Sequence, residues 1–268
     1  MTFQIPVVKR GFVDVADGQV HYRCACGEGV DQNTLPLIVL HPSPMMTNFV
    51  AAMAHYMPVL ALDTRGNGDS DPLTGSPQIA DFAEATWAAL DALGYDRVHL
   101  LGTHTGASIA LEASLQRPDS VGALILDNMG LWSNDKRSAH LSQNSPQMAP
   151  DLMGSQLNWA WHYCRDQYLF SPWYTPSSEN RRTIGLPEPE VLHRFVVEVL
   201  KALPSYHMSY VAAAAYDKRA RLPLASVPTL VSSTETDPLI VHLDEVLSLV
   251  PGAARALDRL AERDTADL

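Results

Sequence analysis

Residues able to do chemistry gather in three stretches of this 268-residue chain. His162, Arg165 and Asp166 fall at helical spacing in WAWHYCRDQYLFSPWY, Trp173 closes that run, and Arg181 and Arg182 follow in SSENRR. A guanidinium is a planar fork that fits a carboxylate, and Trp and Tyr beside it supply an apolar wall. The pattern predicts a pocket for a small carboxylated molecule. A solvated helix face, or a salt bridge to the rest of the molecule, accounts for each charge equally well, and His193 and His207 are weaker candidates. The second stretch is Gly102-Thr103-His104-Thr105-Gly106, where an imidazole stands between two glycines at a turn joining an apolar run to a helical pattern. The third is Asp127, at the end of LILDN. Ligands and catalytic groups collect at strand C-termini in open α/β sheets, although a strand-end carboxylate bonded to backbone amides is the competing reading.

Other chemistries find little to work with. Gly66-Asn67-Gly68 lacks the third glycine and the strand-to-helix setting of a dinucleotide site, and HLLGTHTG lacks the lysine of a phosphate loop. A metal held by His99, His104 and a carboxylate fails because His99 lies inside a strand and points elsewhere. Neither a cofactor nor a metal is expected. Cys24, Cys26 and Cys164 are odd in number and lack zinc-finger spacing, so they read as structural thiols; strand alternation puts Cys24 and Cys26 on one face.

The elements that position these residues follow from periodicity. GFVDVADGQVHYRCAC reads as a hairpin around Asp17-Gly18. LPLIVLHP, MPVLALDTRG and RVHLLGTHTG are unbroken apolar runs that end in turn signals, as suits strands buried on both faces of a parallel sheet. GALILDN and VPTLVSSTETDP supply two more strands. Residues 80–94 place Phe82, Ala85, Ala89 and Leu93 on one helical face and stop at Gly94. The alternation of strand and helix predicts an α/β, doubly wound, mostly parallel sheet. From about Trp132 to Leu222 that rhythm breaks into a helical, aromatic stretch with Leu157, Trp161, Cys164 and Tyr168 at helical spacing, a stripe better suited to core packing than to binding. It carries ten basic against eight acidic residues, whereas the remainder has nine against twenty-two. The expected division is a core of residues 1–131 and 223–268 with a helical lid over 132–222.

From about Gly11 to Arg259 the chain resembles the α/β-hydrolase superfamily. LHPSP at Leu40–Pro44 resembles the family's His-Gly loop, DTRGNGDSDP at Asp63–Pro72 the loop after the fourth strand, LLGTHTGASIALE at Leu100–Glu112 the nucleophile elbow, and ETDP around Asp237 the acid of the triad. The resemblance implies an oxyanion hole made by the amides of Ser43 and Thr105, with His41 beside it, and a scaffold role for Asp63, Arg65 and Asp69. It fails at two places. The nucleophile position holds His104 and neither Ser nor Cys. The slot of the catalytic imidazole falls near Asp264, in a tail, ERDTADL, without histidine.

A standard serine-esterase mechanism therefore does not carry over. An imidazole growing from the elbow spans much of the same gap from the opposite side, so Asp237 is expected to hold one ring nitrogen of His104 and leave the other facing the pocket, with Asp127 as a second possible partner. The adjoining helix N-terminus disfavours positive charge, which predicts a neutral imidazole fit to act as base or nucleophile. Ser43 as a displaced nucleophile is a lesser alternative. The implied activity is hydrolysis of an ester or activated C–C bond, or related lyase chemistry, on a small carboxylated substrate; the alternative is a catalytically silent ligand-binding protein.

Composition limits the partners. Hydrophobic residues make up 46% and charged residues 18%, ordinary globular usage, and the net charge of −11 opposes nucleic acid and anionic membranes. MTFQIPVVKRGFVDV is not a secretory signal, and no apolar run reaches membrane-spanning length, so a cytoplasmic protein is expected, with an oligomer left open.

Overall fold

Asp17 turns the chain between β1 (Lys9–Val15) and β2 (Gly18–Ala25), which pair antiparallel with Val13 opposite Val20. The computed structural model describes residues 6–31, 33–40, 46–132 and 143–256. Each apolar run forms a strand: β3 (Leu37–Leu40), β4 (Val59–Leu62), β5 (Val98–Thr103), β6 (Val121–Asp127) and β7 (Thr229–Ser232), with a short β8 (Ala254–Arg255) in the ARALDRL segment. They make one eight-stranded sheet in the order β1-β2-β4-β3-β5-β6-β7-β8. From β4 onward in that order every pairing is parallel; β1 and β2 form the antiparallel edge.

The sheet is covered on both faces, as unbroken apolar strands require. Side chains alternate across a strand, so Ile38, Leu40, Leu60 and Leu62 join the large core cluster with Phe82, Trp87, Leu100 and Ile109, whereas Leu37, Val39, Val59 and Ala61 face Val50 and Ala54 on the other side. α1 (Thr47–Met53) covers that second face. α2 (Ile79–Ala92) and α3 (Thr105–Gln116) cover the first, tied together by the Trp87 indole N–H donating to the Ala113 carbonyl at 3.0 Å.

Between β6 and β7 lie α4 (Ser155–Leu169), α5 (Pro189–Lys201) and α6 (Tyr206–Ala215), which build a small core of their own from Ala160, Tyr163, Cys164, Leu192, Val199 and Tyr206. Half of the stripe expected on α4 packs inward: Cys164 is buried and Tyr168 packs against the same cluster, whereas Leu157 and Trp161 are 55% and 43% exposed, and the buried face runs through Ala160, Tyr163 and Cys164. The i, i+3, i+4 set centred on Tyr163 is the one that meets α5. The helices dock on the loop after β4, where the Ser205 hydroxyl donates to the Gly66 carbonyl at 2.8 Å and the Lys201 ammonium donates to Asp69 at 2.9 Å.

Cys24 is half-buried, Cys26 exposed and Cys164 buried. β2 ends at Ala25, so Cys26 falls just past the strand, and both Cys24 and Cys26 lie near the Tyr95 hydroxyl. No helix among the described residues is long and apolar enough to cross a membrane.

Candidate active site

β5 ends at Thr103 and α3 begins at Thr105, so His104 alone makes the turn between them, at φ 54° and ψ −115°. A non-glycine residue rarely holds positive φ, and here neighbouring bonds fix it. Its N–H donates to the Asp127 carbonyl at 3.0 Å and its carbonyl accepts from the Ala107 N–H at 3.1 Å. The flanking glycines are a steric requirement. A Cβ on Gly102 would overlap the Gly106 carbonyl, and one on Gly106 would overlap the Leu40 carbonyl of the adjacent strand. The imidazole is thereby lifted above the sheet edge, 40% exposed.

Both ring nitrogens are engaged. Nε2 lies 2.9 Å from Asp237 Oδ2, and Nδ1 lies 2.9 Å from Thr103 Oγ1. Asp237 follows β7, is 14% exposed, and accepts a second bond from the Leu239 N–H through Oδ1 at 2.8 Å. The expectation that Asp237 holds one nitrogen matches this geometry. The other nitrogen is not left open, because the Thr103 hydroxyl meets it.

The electrostatics also differ from the expected neutral imidazole. Burial lowers the His104 pKa, but the hydrogen bond and charge of Asp237, joined by the charge of Asp127, outweigh it and raise the pKa above the ordinary value. Burial pushes the Asp237 carboxyl up, yet its bond to His104, that ring's charge and the Leu239 amide bring it below its ordinary range.

The remaining sequence candidates sort by contact. Asp127 is not the side-chain partner of His104; its carboxylate accepts from the Ser232 hydroxyl at 2.7 Å and the Asn128 amide at 2.9 Å, acting on the ring only through its charge. Thr105 opens α3, where first-turn N–H groups have no partner within the helix. Arg165 donates to Asp166 at 2.7 Å and sits 3.0 Å from His162 Nδ1, so these three form an ion cluster along α4. Trp173 donates its indole N–H to Asn144 at 3.1 Å and packs edge-on against Tyr163, a structural place in the helical core. Arg181 is exposed and its backbone bridges to Phe170. His41 and Ser43, like Asp264, lie outside the described residues.

Arg182 is the cation that reaches the pair. Its guanidinium donates to the Gln167 carbonyl at 2.5 Å and the Thr236 carbonyl at 2.7 Å, and its charge lowers the pKa of both His104 and Asp237. The adjacent arginines were visible in sequence; which one turns inward depends on the Phe170–Arg181 bridge. Sequence reading also missed Thr103 as a partner of His104, and His21, whose Nδ1 lies 2.7 Å from Asp63 in a buried pair under the loop after β4. Around it Arg65 donates to Asp17 at 2.7 Å and to the Asp71 carbonyl at 2.6 Å, bracing that loop. His99 packs beside Gly122 at the far end of β5, apart from His104. The imidazole–carboxylate pair can take up, hold and return one proton at the mouth of α3.

Comparison with known proteins agrees with this architecture. The family model described as alpha/beta hydrolase fold matches residues 45–250. A proline iminopeptidase of Heyndrickxia coagulans is 31% identical over 139 residues, 47% of this chain and 46% of that protein. A 2-hydroxy-6-oxononadienedioate/2-hydroxy-6-oxononatrienedioate hydrolase of Dechloromonas aromatica is 32% identical over 128 residues, 44% of this chain and 42% of that one. The chain thus spans about half the length of the curated relatives it matches. The crystal structure of the enol-lactonase from Burkholderia xenovorans LB400 superposes with a TM-score of 0.70, covering 95% of this chain and 96% of that one at 22% identity, a likeness of fold. With the matched model spanning β4 to β7 and every helix described above, well over half of the chain, the chain belongs to the alpha/beta hydrolase fold family.

Proposed function

We propose that this protein is a cofactor-independent hydrolase of small ester or activated C–C substrates that uses His104, oriented by Asp237, as a general base in place of a serine nucleophile. The observation that carries the reading is the 2.9 Å contact between His104 Nε2 and Asp237 at the nucleophile elbow. With Nε2–H donated to Asp237, the basic lone pair is on Nδ1, and the Thr103 hydroxyl fixes that tautomer. When the hydroxyl rotates away, a water donates to Nδ1 instead. The water loses its proton to Nδ1 as its oxygen bonds to the substrate carbonyl carbon. The oxyanion is held by the N–H of Thr105 and, from the loop after β3, that of Ser43. The imidazolium, stabilised by Asp237, then returns the proton to the leaving group as its bond to the carbonyl carbon breaks.

Residues 132–222 act in this reading as a lid between the two core segments. A carboxylated substrate finds its cation in Arg182, since Arg165 is already paired with Asp166. The curated relatives support hydrolysis as the reaction class, and the substrate named for one of them is a dioate.

One observation favours a silent binding protein instead. Both nitrogens of His104 are occupied within the protein, by Asp237 and Thr103. Incubation with a panel of small carboxylated esters, lactones and β-dicarbonyls, read by product formation and by mass spectrometry of the protein, separates the two. The hydrolase reading requires turnover of at least one class without an acyl-protein adduct. Absence of turnover, with carboxylates still raising the melting temperature, establishes the binding protein.

A further inference from the structure

A cavity lies between the helices that follow β6 and the loop after β4, and shares no residue with the His104 site. It measures about 30 Å³, and its walls include Asn67, Tyr163, Phe195, Glu198, Tyr206 and Tyr210. That is room for about two water-sized groups. Tyr163 lies edge-on to Tyr206 with ring centroids 5.6 Å apart, Tyr206 lies 6.0 Å from Tyr210, and Phe195 tilts against Tyr163 at 6.3 Å, so the rings form one continuous wall.

Glu198 is the charged member of that wall. It is only 8% exposed, and its Oε1 accepts from the Lys201 ammonium at 3.1 Å. Its Oε2 is fully buried and has no hydrogen-bond partner among the described residues. A buried carboxylate oxygen without a donor is costly, and native proteins ordinarily satisfy such groups. Lys201 does not neutralise the site, because it also serves Asp69 at 2.9 Å, and the Asp63 and Asp69 charges press on Glu198 as well. Asp63 is paired with His21, which leaves Glu198 and Asp69 sharing the one ammonium of Lys201.

We propose that this cavity binds the ammonium head of a small alkylamine, with Glu198 Oε2 accepting its N–H groups and the faces of the surrounding rings contacting its positive charge. An acceptor without a donor calls for a donor, two carboxylates that share one ammonium leave room for a second cation, and aromatic faces attract organic ammonium groups.

The test is isothermal titration calorimetry of the full chain with methylammonium chloride, whose two heavy atoms match the cavity, with sodium chloride at matched ionic strength as the comparison. Saturable binding is expected, with Kd raised at least tenfold in Glu198→Gln and no competition from sodium. In the parent protein, the carboxyl carbon resonance of Glu198 is expected to move along the same saturation curve, which decides the matter even where the variant folds poorly. The proposal is overturned by the absence of saturable heat, by a Glu198 resonance that stays still, by unchanged affinity in folded Glu198→Gln, or by sodium displacing the amine at equal concentration.

Discussion

His104 and Asp237 stand 133 residues apart in the chain, yet Nε2 and Oδ2 are 2.9 Å apart, joined from the ends of β5 and β7 across the intervening β6. The pair carries opposite pKa shifts, His104 upward and Asp237 downward, as mutual stabilisation of the charged forms requires.

The first consequence is a pH window for stability. A raised histidine contributes stability that is complete below its unfolded value near 6.5 and is lost as pH rises through the folded value. A lowered aspartate contributes above its unfolded value near 3.8 and loses that contribution as pH falls through the folded one. The gap in melting temperature between the parent and Asp237→Asn is therefore expected to be widest between about pH 4 and 6.5 and to narrow on either side. A gap that is flat from pH 4 to 9 is the contrary result.

Turnover follows the other protonation state. The base form of His104 accumulates above its raised pKa, so kcat/KM is expected to rise through an inflection above 6.5 and then level off. In Asp237→Asn the remaining influences on the ring, burial and the charge of Arg182, lower its pKa against Asp127 alone. The inflection is expected to move down and the plateau to fall by about 10³- to 10⁴-fold. An unmoved inflection would separate Asp237 from the proton transfer.

Thr103 offers a test of covalent chemistry. Fluorophosphonates, which label activated hydroxyls, are expected to leave the protein unmodified in stoichiometric terms. Thr103→Val keeps the shape of the side chain and removes the bond to Nδ1. It is expected to leave turnover within about tenfold while the ring-nitrogen NMR signals of His104 change, since one hydrogen bond contributes about 1 kcal/mol. Stoichiometric labelling at Thr103, abolished by the valine, would make its hydroxyl a nucleophile.

At the elbow, Gly106→Ala forces a methyl into the Leu40 carbonyl. The expected cost is about 3 kcal/mol of folding stability, read as a lowered urea midpoint with the slope preserved. A midpoint unchanged by the methyl would mean that the turn is looser than this geometry.

How much of this is legible in the sequence depends on whether the decisive contact is local. LIVL and VLAL announce strands buried on both faces because no polar residue interrupts them, and they are β3 and β4. The glycine pair around His104 announces a tight turn because only that spacing removes two Cβ atoms from one place. Long-range side-chain choices are another matter. Nothing in SSENRR says that Arg182 rather than Arg181 turns toward the Thr236 carbonyl, and nothing local links His21 to Asp63 across 42 residues. The direction in which the His104 pKa moves is hidden for the same reason, because the summed field of Asp237 and Asp127 exists only in the folded sheet.

The central claim is that His104 performs the chemistry, and the most direct measurement is kcat for His104→Ala on a substrate the parent hydrolyses, with folding verified by circular dichroism. A fall of at least about 10³-fold, with substrate binding largely retained, is the expected result. A His104→Ala protein that turns the substrate over as fast as the parent would contradict it.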